Sequence, residues 1–146
     1  GSYFDFIDFL KNHENGMTPS TPVIPLIHGL LYTLEKIFEE GVTNRQQRHD
    51  NLNQMVHNWG FNHGFELLPE KQFASKSLTC VKNTLNIDVA GFVKALREEK
   101  KLSIDGGYGK IKGKTFRISN MGNESTESIE HLLSEMDGVL PRFLDK

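Results

Sequence analysis

One arginine near the C-terminal end of the chain has the residue type and the setting to recognise a carboxylate. Arg117 lies between Phe116 and Ile118 in a short apolar segment, Thr115–Ile118, which reads as a strand. Side chains alternate between the faces of a strand, so the two apolar residues point one way and Arg117 the other. A guanidinium is a planar fork that can bind a carboxylate through two parallel hydrogen bonds. A solvated strand arginine is the commoner case, and the residues alone leave both interpretations open.

The segment before this strand is rich in glycine and lysine. Gly107 and Gly109 favour turns with positive φ, and the segment matches neither the dinucleotide-binding nor the Walker phosphate-binding pattern. Lys110, Lys112 and Lys114 alternate with other residues, so an extended backbone would place them on one face. Such a face would suit a phosphate or carboxylate ligand, although a solvated surface is the simpler interpretation.

The sequence offers little for metal or thiol chemistry. Its six histidines include no His-Glu-x-x-His motif or comparable spacing, so we predict no metal site. Cys80 is the single cysteine, which excludes a disulfide within the chain and favours a reducing cytoplasm. Because Cys80 lies in a strand pattern, we expect a small buried side chain rather than a nucleophile.

Composition narrows the class of protein. The 146 residues suit one ordinary globular domain, with 37% hydrophobic and 25% charged residues. Seventeen Lys and Arg against nineteen Asp and Glu give a net charge of −2, which does not favour a nucleic-acid or anionic-membrane partner. No apolar stretch approaches the roughly 20 residues that a membrane-spanning helix needs.

Hydrophobic periodicity predicts four helices and four short strands. The order helix, helix, strand, strand, helix, strand, strand, helix favours an α+β two-layer sandwich. Its sheet would have about four short, mostly antiparallel strands, with helices packed on one face. The helices are predicted to begin at Val23, Thr43, Asp88 and Ser125 or Thr126, the second to end at Gly60, and the strands to span 65–68, 78–82, 102–105 and 115–118.

The N-terminal region suggests a chain cut from something larger. Gly1 and Ser2 resemble the remnant of a cleaved expression tag, and no initiator methionine follows them. Residues 3–22 form an aromatic lead-in and a Pro-rich segment that would connect domains, and 23–146 would form the domain itself. We expect the lead-in and the helix from Val23 to expose apolar surface where a missing part packs.

Two segments together resemble a known family. Residues 106–122, Gly-Gly-Tyr-Gly-Lys-Ile-Lys-Gly-Lys-Thr-Phe-Arg-Ile-Ser-Asn-Met-Gly, resemble the signature near the C-terminus of class V aminotransferases. Residues 18–27, Thr-Pro-Ser-Thr-Pro-Val-Ile-Pro-Leu-Ile, are similar to the Thr/Pro-rich entry to the long interdomain helix of that family. The resemblance covers the chain from about Tyr3 to about Leu140.

The resemblance implies a fold-type I enzyme dependent on pyridoxal 5'-phosphate and active as a homodimer. A large domain, absent from this chain, would hold the cofactor and its Schiff-base lysine, so no catalytic residue is expected here. By similarity, Arg117 would bind the substrate α-carboxylate. Ser20 or Thr21 would reach the cofactor phosphate of the partner subunit.

Two functions follow from these observations. In the first, the parent enzyme transfers an amino group between a small amino acid and a 2-oxo acid, with alanine–glyoxylate, serine–pyruvate and phosphoserine chemistry all open. This piece alone would then be inactive. In the second, the chain is a free-standing α+β binding module whose ligand surface is the basic face of Lys110, Lys112 and Lys114.

Overall fold

A computed structural model describes residues 5–144, so the expectation for Gly1 and Ser2 lies outside the described residues. The chain divides into two compact units, one up to Val42 and one from Thr43, and each is described by itself. This division differs from the predicted start of the domain at Val23. That domain boundary stays a prediction. No helix of the described chain is long and apolar enough to cross a bilayer.

The first unit consists of two helices. Helix α1, Phe6–Glu14, begins at Asp5, whose carboxylate accepts hydrogen bonds from the N–H groups of Ile7 and Asp8 at 3.1 and 3.2 Å. This helix was not predicted, because the aromatic residues of the lead-in obscured the capping signal at Asp5. Helix α2, Ile24–Glu40, lies where the periodicity predicted it, with Pro25 in its first turn.

The second unit is built on a three-stranded antiparallel sheet in the order β1–β2–β3. These strands are Glu66–Leu67, Leu78–Lys82 and Thr115–Ser119. The register pairs Val81 with Phe116, and both side chains are fully buried. The next pair along, Cys80 and Arg117, lies on the opposite face and is only half-buried. The sheet therefore has one closed face and one open face, as the strand pattern of 115–118 predicted.

Three helices cover the closed face: α3, Val42–Asn62; α4, Val89–Lys100; and α5, Thr126–Val139. The ring of Phe116 packs among three other aromatic rings, with centroid distances of 5.2 Å to Phe65, 5.9 Å to Phe92 and 6.3 Å to Trp59. Fully burying a side chain of this size stabilises the fold by about 1.5–3 kcal/mol. The buried apolar residues of this core are Leu52, Val56, Trp59, Phe65, Val81, Ile87, Val89, Phe92, Ala95, Leu96, Ile104, Phe116, Ile118, Ile129, Leu132, Met136, Val139 and Leu140.

Polar side chains set the ends of two of these helices as predicted. The Asp88 carboxylate accepts the Gly91 N–H at 3.1 Å and begins α4. Ser125 and Ser128 exchange side-chain to backbone hydrogen bonds of 2.9 and 3.2 Å, which form a capping box at the start of α5. The predicted α+β class, with helices against one face of a short antiparallel sheet, is confirmed.

Two local predictions were wrong, and a third segment differs from the geometry considered for it. The predicted strand at 102–105 makes only a single bridge, between Asp105 and Arg117, because the buried Ile104 side chain turns the segment into the core. Helix α3 does not end at Gly60 but continues to Asn62, since a glycine inside a helix needs no change of φ. The lysine segment is not extended, because 109–111 form a 3-10 turn. This turn interrupts the extended backbone that would place the three lysines on one face, and the binding-module alternative stays a prediction.

A buried asparagine joins the end of β3 to two other segments. The Asn120 side chain is fully buried, and its Nδ2 donates to the carbonyl oxygens of His49 at 3.0 Å and Lys76 at 3.1 Å. The carbonyl oxygen of Asn120 in turn lies 2.7 Å from Nδ1 of His49. These contacts connect β3 with α3 and with the segment that precedes β2.

We expect Asn120→Ala to lower the free energy of unfolding by about 1–3 kcal/mol, because it removes the donor that two carbonyl groups share. Urea denaturation followed through the fluorescence of Trp59, the only tryptophan, measures the loss. The matched control is Asn58→Ala on the exposed side of α3, which should change stability by no more than about 0.5 kcal/mol. Equal losses in the two variants would contradict the role assigned to Asn120.

Candidate functional site

Arg117 occupies the middle of β3 on the open face of the sheet. Its side chain is 24% exposed. Its Nε and Nη2 atoms lie 3.2 and 3.0 Å from a single oxygen, Oδ1 of Asp105. The two residues also pair through their backbones, with N–H to O distances of 3.1 Å and 2.7 Å. Backbone pairing of this kind holds their side chains next to each other on one face.

The glycine-rich loop supplies the rest of the environment of Arg117. The ring of Tyr108 lies below the guanidinium, with 4.4 Å between Cζ of Arg117 and the ring centroid, which is a cation–π contact. The N–H of Gly107 donates to Oδ1 of Asp105 at 2.8 Å. The loop therefore holds both a stacking ring and a counter-ion against the arginine.

Gly107 cannot be replaced by a larger residue without strain. Its φ is +79°, and a Cβ built there would lie 2.5 Å from Oγ1 of Thr115 and 3.0 Å from the carbonyl oxygen of Ile111. Both the conformation and the close approach require glycine. The positive φ of Gly107 and Gly109 confirms the predicted turn chemistry.

The charges of the pair are stable at neutral pH. Desolvation acts to raise the pKa of Asp105, but hydrogen bonds from Gly107, Tyr108 and Arg117, with the charge of Arg117, lower it overall. Desolvation acts to lower the pKa of Arg117, but the hydrogen bond and charge of Asp105 outweigh it, with a smaller contribution from Tyr108, and raise that pKa. The guanidinium is therefore a permanent cation.

A groove of about 330 Å³ opens beside the guanidinium. Its wall is partly apolar and partly polar, which suits a small molecule that carries one anionic group. The guanidinium can offer such a group charge-assisted hydrogen bonds. The groove is lined by Leu78, Arg97, Ser103, Ile104, Asp105, Arg117, Ser119 and Met121.

Cys80 lies opposite Arg117 on β2 and is half-buried rather than fully buried. Desolvation raises the pKa of its thiol, and the opposing effects of Thr115 and Arg117 do not compensate. The thiol therefore stays protonated at neutral pH, which argues against a nucleophile. No group of histidines, cysteines and carboxylates within residues 5–144 is arranged to hold a metal ion.

Ser20 and Thr21 belong to the first unit and lie in an exposed segment before α2. The hydroxyl of Thr18 donates to the backbone carbonyl of Ser20 at 2.7 Å and stabilises the bend there. Both candidate residues line an open groove formed by residues 16–22. Exposed hydroxyls of this kind fit a phosphate, whose oxygens accept hydrogen bonds.

The lysines of the described chain have a different setting. Each of them is exposed. A lysine that forms a Schiff base is usually activated by desolvation or by a neighbouring cation in a pocket. The lysines within residues 5–144 therefore do not have the setting of a Schiff-base attachment point.

The sequence-based interpretation named Arg117 as a candidate but did not name Asp105 or Tyr108. Their signal was present, because Asp105 directly precedes the glycine pair and Tyr108 separates the two positive-φ glycines. Asp105 and Arg117 lie twelve positions apart, so only the fold of the loop shows that they touch.

The chain is similar in sequence to known aminotransferases. No family model matches the chain. It is 32% identical to serine–glyoxylate aminotransferase from Arabidopsis thaliana over 143 residues, 94% of this chain and 35% of that protein. It is 31% identical to serine–glyoxylate aminotransferase from Methylorubrum extorquens over 125 residues, 83% of this chain and 30% of that protein. The chain thus spans about a third of the length of these curated relatives.

Solved structures agree with the sequence matches. Alanine–glyoxylate aminotransferase from Nostoc superposes with a TM-score of 0.75 at 30% identity, covering 83% of this chain and 32% of that structure. Aspartate aminotransferase from Thermus thermophilus shares the fold with a TM-score of 0.84 at 24% identity, over 99% of this chain and 40% of that structure. In sequence and in fold, the chain therefore corresponds to the C-terminal small domain of class V aminotransferases.

Proposed function

We propose that the protein containing this domain is a pyridoxal phosphate-dependent aminotransferase that moves an amino group between a small amino acid and a 2-oxo acid. The observation that carries the proposal is the guanidinium of Arg117, held on an open sheet face beside a groove of small-molecule size. The curated relatives at 31–32% identity act on serine and glyoxylate by name, and the Nostoc structure on alanine and glyoxylate. These pairs, together with serine–pyruvate and phosphoserine chemistry, form the proposed substrate range.

Arg117 would bind the α-carboxylate of the amino acid. The bound cofactor supplies the electron sink that lets the bond to the α-hydrogen break. A bidentate contact to the carboxylate would restrict rotation of the whole substrate and so fix the direction of its α-hydrogen. The arginine therefore contributes by orientation, and its fork geometry matters as much as its charge.

Ser20 or Thr21 would contact the cofactor phosphate in the partner subunit of a homodimer. Support comes from their exposed hydroxyls, which lie in a segment shaped by Pro19 and Pro22 and lead into α2. A phosphate needs donors that are not already committed, and hydroxyl groups rotate to suit its oxygens. Either residue fits this role by its chemistry.

The large domain and the second subunit are the proposed partners of the apolar residues on α1 and α2. Neither helix has a buried residue, although both carry large apolar side chains. Exposed apolar surface of this extent is typical of an interaction surface. We place the protein in the cytoplasm, in keeping with its single, reduced cysteine. The exposed apolar residues are Phe6, Ile7, Phe9, Leu10, Ile24, Leu26, Ile27, Leu30, Leu31, Tyr32, Leu34 and Phe38.

In the full-length protein, Arg117→Lys should lower kcat/KM for the amino-acid donor by an order of magnitude or more. A lysine keeps the charge but loses the bidentate contact, a loss of roughly 1.5–3 kcal/mol. Steady-state kinetics with serine or alanine as donor and glyoxylate as acceptor measure the effect.

The matched control is Arg142→Lys, which removes a different arginine that makes a bidentate contact. Arg142 binds Glu99 on the surface through contacts of 2.7 and 2.9 Å. Its replacement should leave the kinetics unchanged. Equal kcat/KM for wild-type protein and Arg117→Lys would remove Arg117 from the substrate site.

The 146-residue chain by itself should not retain pyridoxal phosphate. Because the described lysines are exposed, each should react weakly and reversibly, and borohydride reduction should label several of them at low yield. Peptide mapping by mass spectrometry identifies the labelled positions. Stoichiometric labelling of one lysine would contradict the proposal that the attachment point lies in another part of the protein.

A further inference from the structure

We propose that Asp105 is a positioning residue, which holds the Arg117 guanidinium so that its Nη1 end faces the carboxylate of the substrate. The inference rests on the proposed function and extends it to a residue that would act through its contact with Arg117. In this proposal the glycine-rich loop sets the orientation of the Arg117 guanidinium that binds the carboxylate.

The first argument is the convergence of donors on one atom. Oδ1 of Asp105 accepts the Gly107 N–H at 2.8 Å and lies 3.2 and 3.0 Å from Nε and Nη2 of Arg117. The backbone N–H anchors the carboxylate independently of the arginine. Because the backbones of Asp105 and Arg117 also pair, the carboxylate is a fixed point relative to β3. A fixed acceptor can orient a flexible side chain.

The second argument is the edge of the guanidinium that Asp105 uses. A guanidinium has five N–H donors, and its Nη1/Nη2 end can grip a carboxylate with two parallel bonds. Asp105 contacts Nε and Nη2 through one oxygen, and Nη1 takes no part in that contact. The end of the fork is therefore left for a second carboxylate.

The third argument concerns the cost of ordering the side chain. A free arginine loses considerable rotamer freedom when it binds a ligand. Asp105 restrains one edge of Arg117, and the ring of Tyr108 restrains one face of the guanidinium plane. Restraint before the ligand arrives improves affinity, because less ordering remains to be done.

A competing interpretation makes the opposite prediction. If Asp105 occupied the place of the substrate carboxylate, it would act as an internal competitor, and its removal would tighten carboxylate binding. The positioning role instead requires that its removal weaken binding. The sign of one affinity change therefore separates the two.

The test uses the full-length protein and propionate, a monocarboxylate without an amino group. Isothermal titration calorimetry gives its Kd for wild type, Asp105→Ala and Asp105→Asn. We expect Asp105→Ala to raise the Kd about tenfold, and Asp105→Asn, which keeps an amide oxygen but loses the charge, to raise it about threefold. In steady-state kinetics the KM for the amino-acid donor should rise by the same factors while kcat changes less than twofold.

The matched control is Asp50→Asn, which removes an exposed carboxylate paired with Lys76 at 3.1 Å. Its Kd for propionate should equal that of wild type. Unchanged or tighter propionate binding in both Asp105 variants would overturn the inference. If Asp105→Ala does not fold, Asp105→Asn decides alone. A wild-type protein that transfers no amino group refutes the proposed function, and the propionate titration still decides the role of Asp105.

Discussion

The structure depends on the alternation of side chains along β3. Phe116 and Ile118 are fully buried against the helices, and Phe116 touches aromatic rings from three other segments. This packing leaves no freedom for the strand to shift by one residue, because such a shift would place Arg117 in an apolar core. The hydrophobic core thus determines the side of the sheet on which the charged group stands.

A second constraint acts on the open face of the sheet. There the backbone of the glycine-rich loop, rather than hydrophobic packing, fixes the position of Arg117. Gly107 adopts a conformation and a proximity to Thr115 that a side chain would prevent. In that conformation the N–H of Gly107 donates a hydrogen bond to Asp105, and Asp105 forms a salt bridge with Arg117. The loop and the strand are therefore coupled, so a substitution at Gly107 would also displace the guanidinium of Arg117.

The two units differ in how far they bury their apolar residues. The second unit encloses its own core, whereas the helices of the first bury none of their side chains. The relatives are about three times as long as the part that this chain covers. An apolar surface without a core of its own accords with the proposal that α1 and α2 pack against further parts of the protein.

Local patterns in the sequence determined much of this protein, and the tertiary structure decided the rest. Periodicity and capping residues were sufficient for α2, for α4 with its cap at Asp88, and for β2 and β3, because each depends on neighbours along the chain. The orientation of Arg117 followed from strand alternation alone. Its partner Asp105 did not, because their contact joins residues twelve positions apart through a loop whose path no local pattern specifies. The strand predicted at 102–105 also failed for a non-local reason: the core takes up Ile104, and only one bridge to β3 forms.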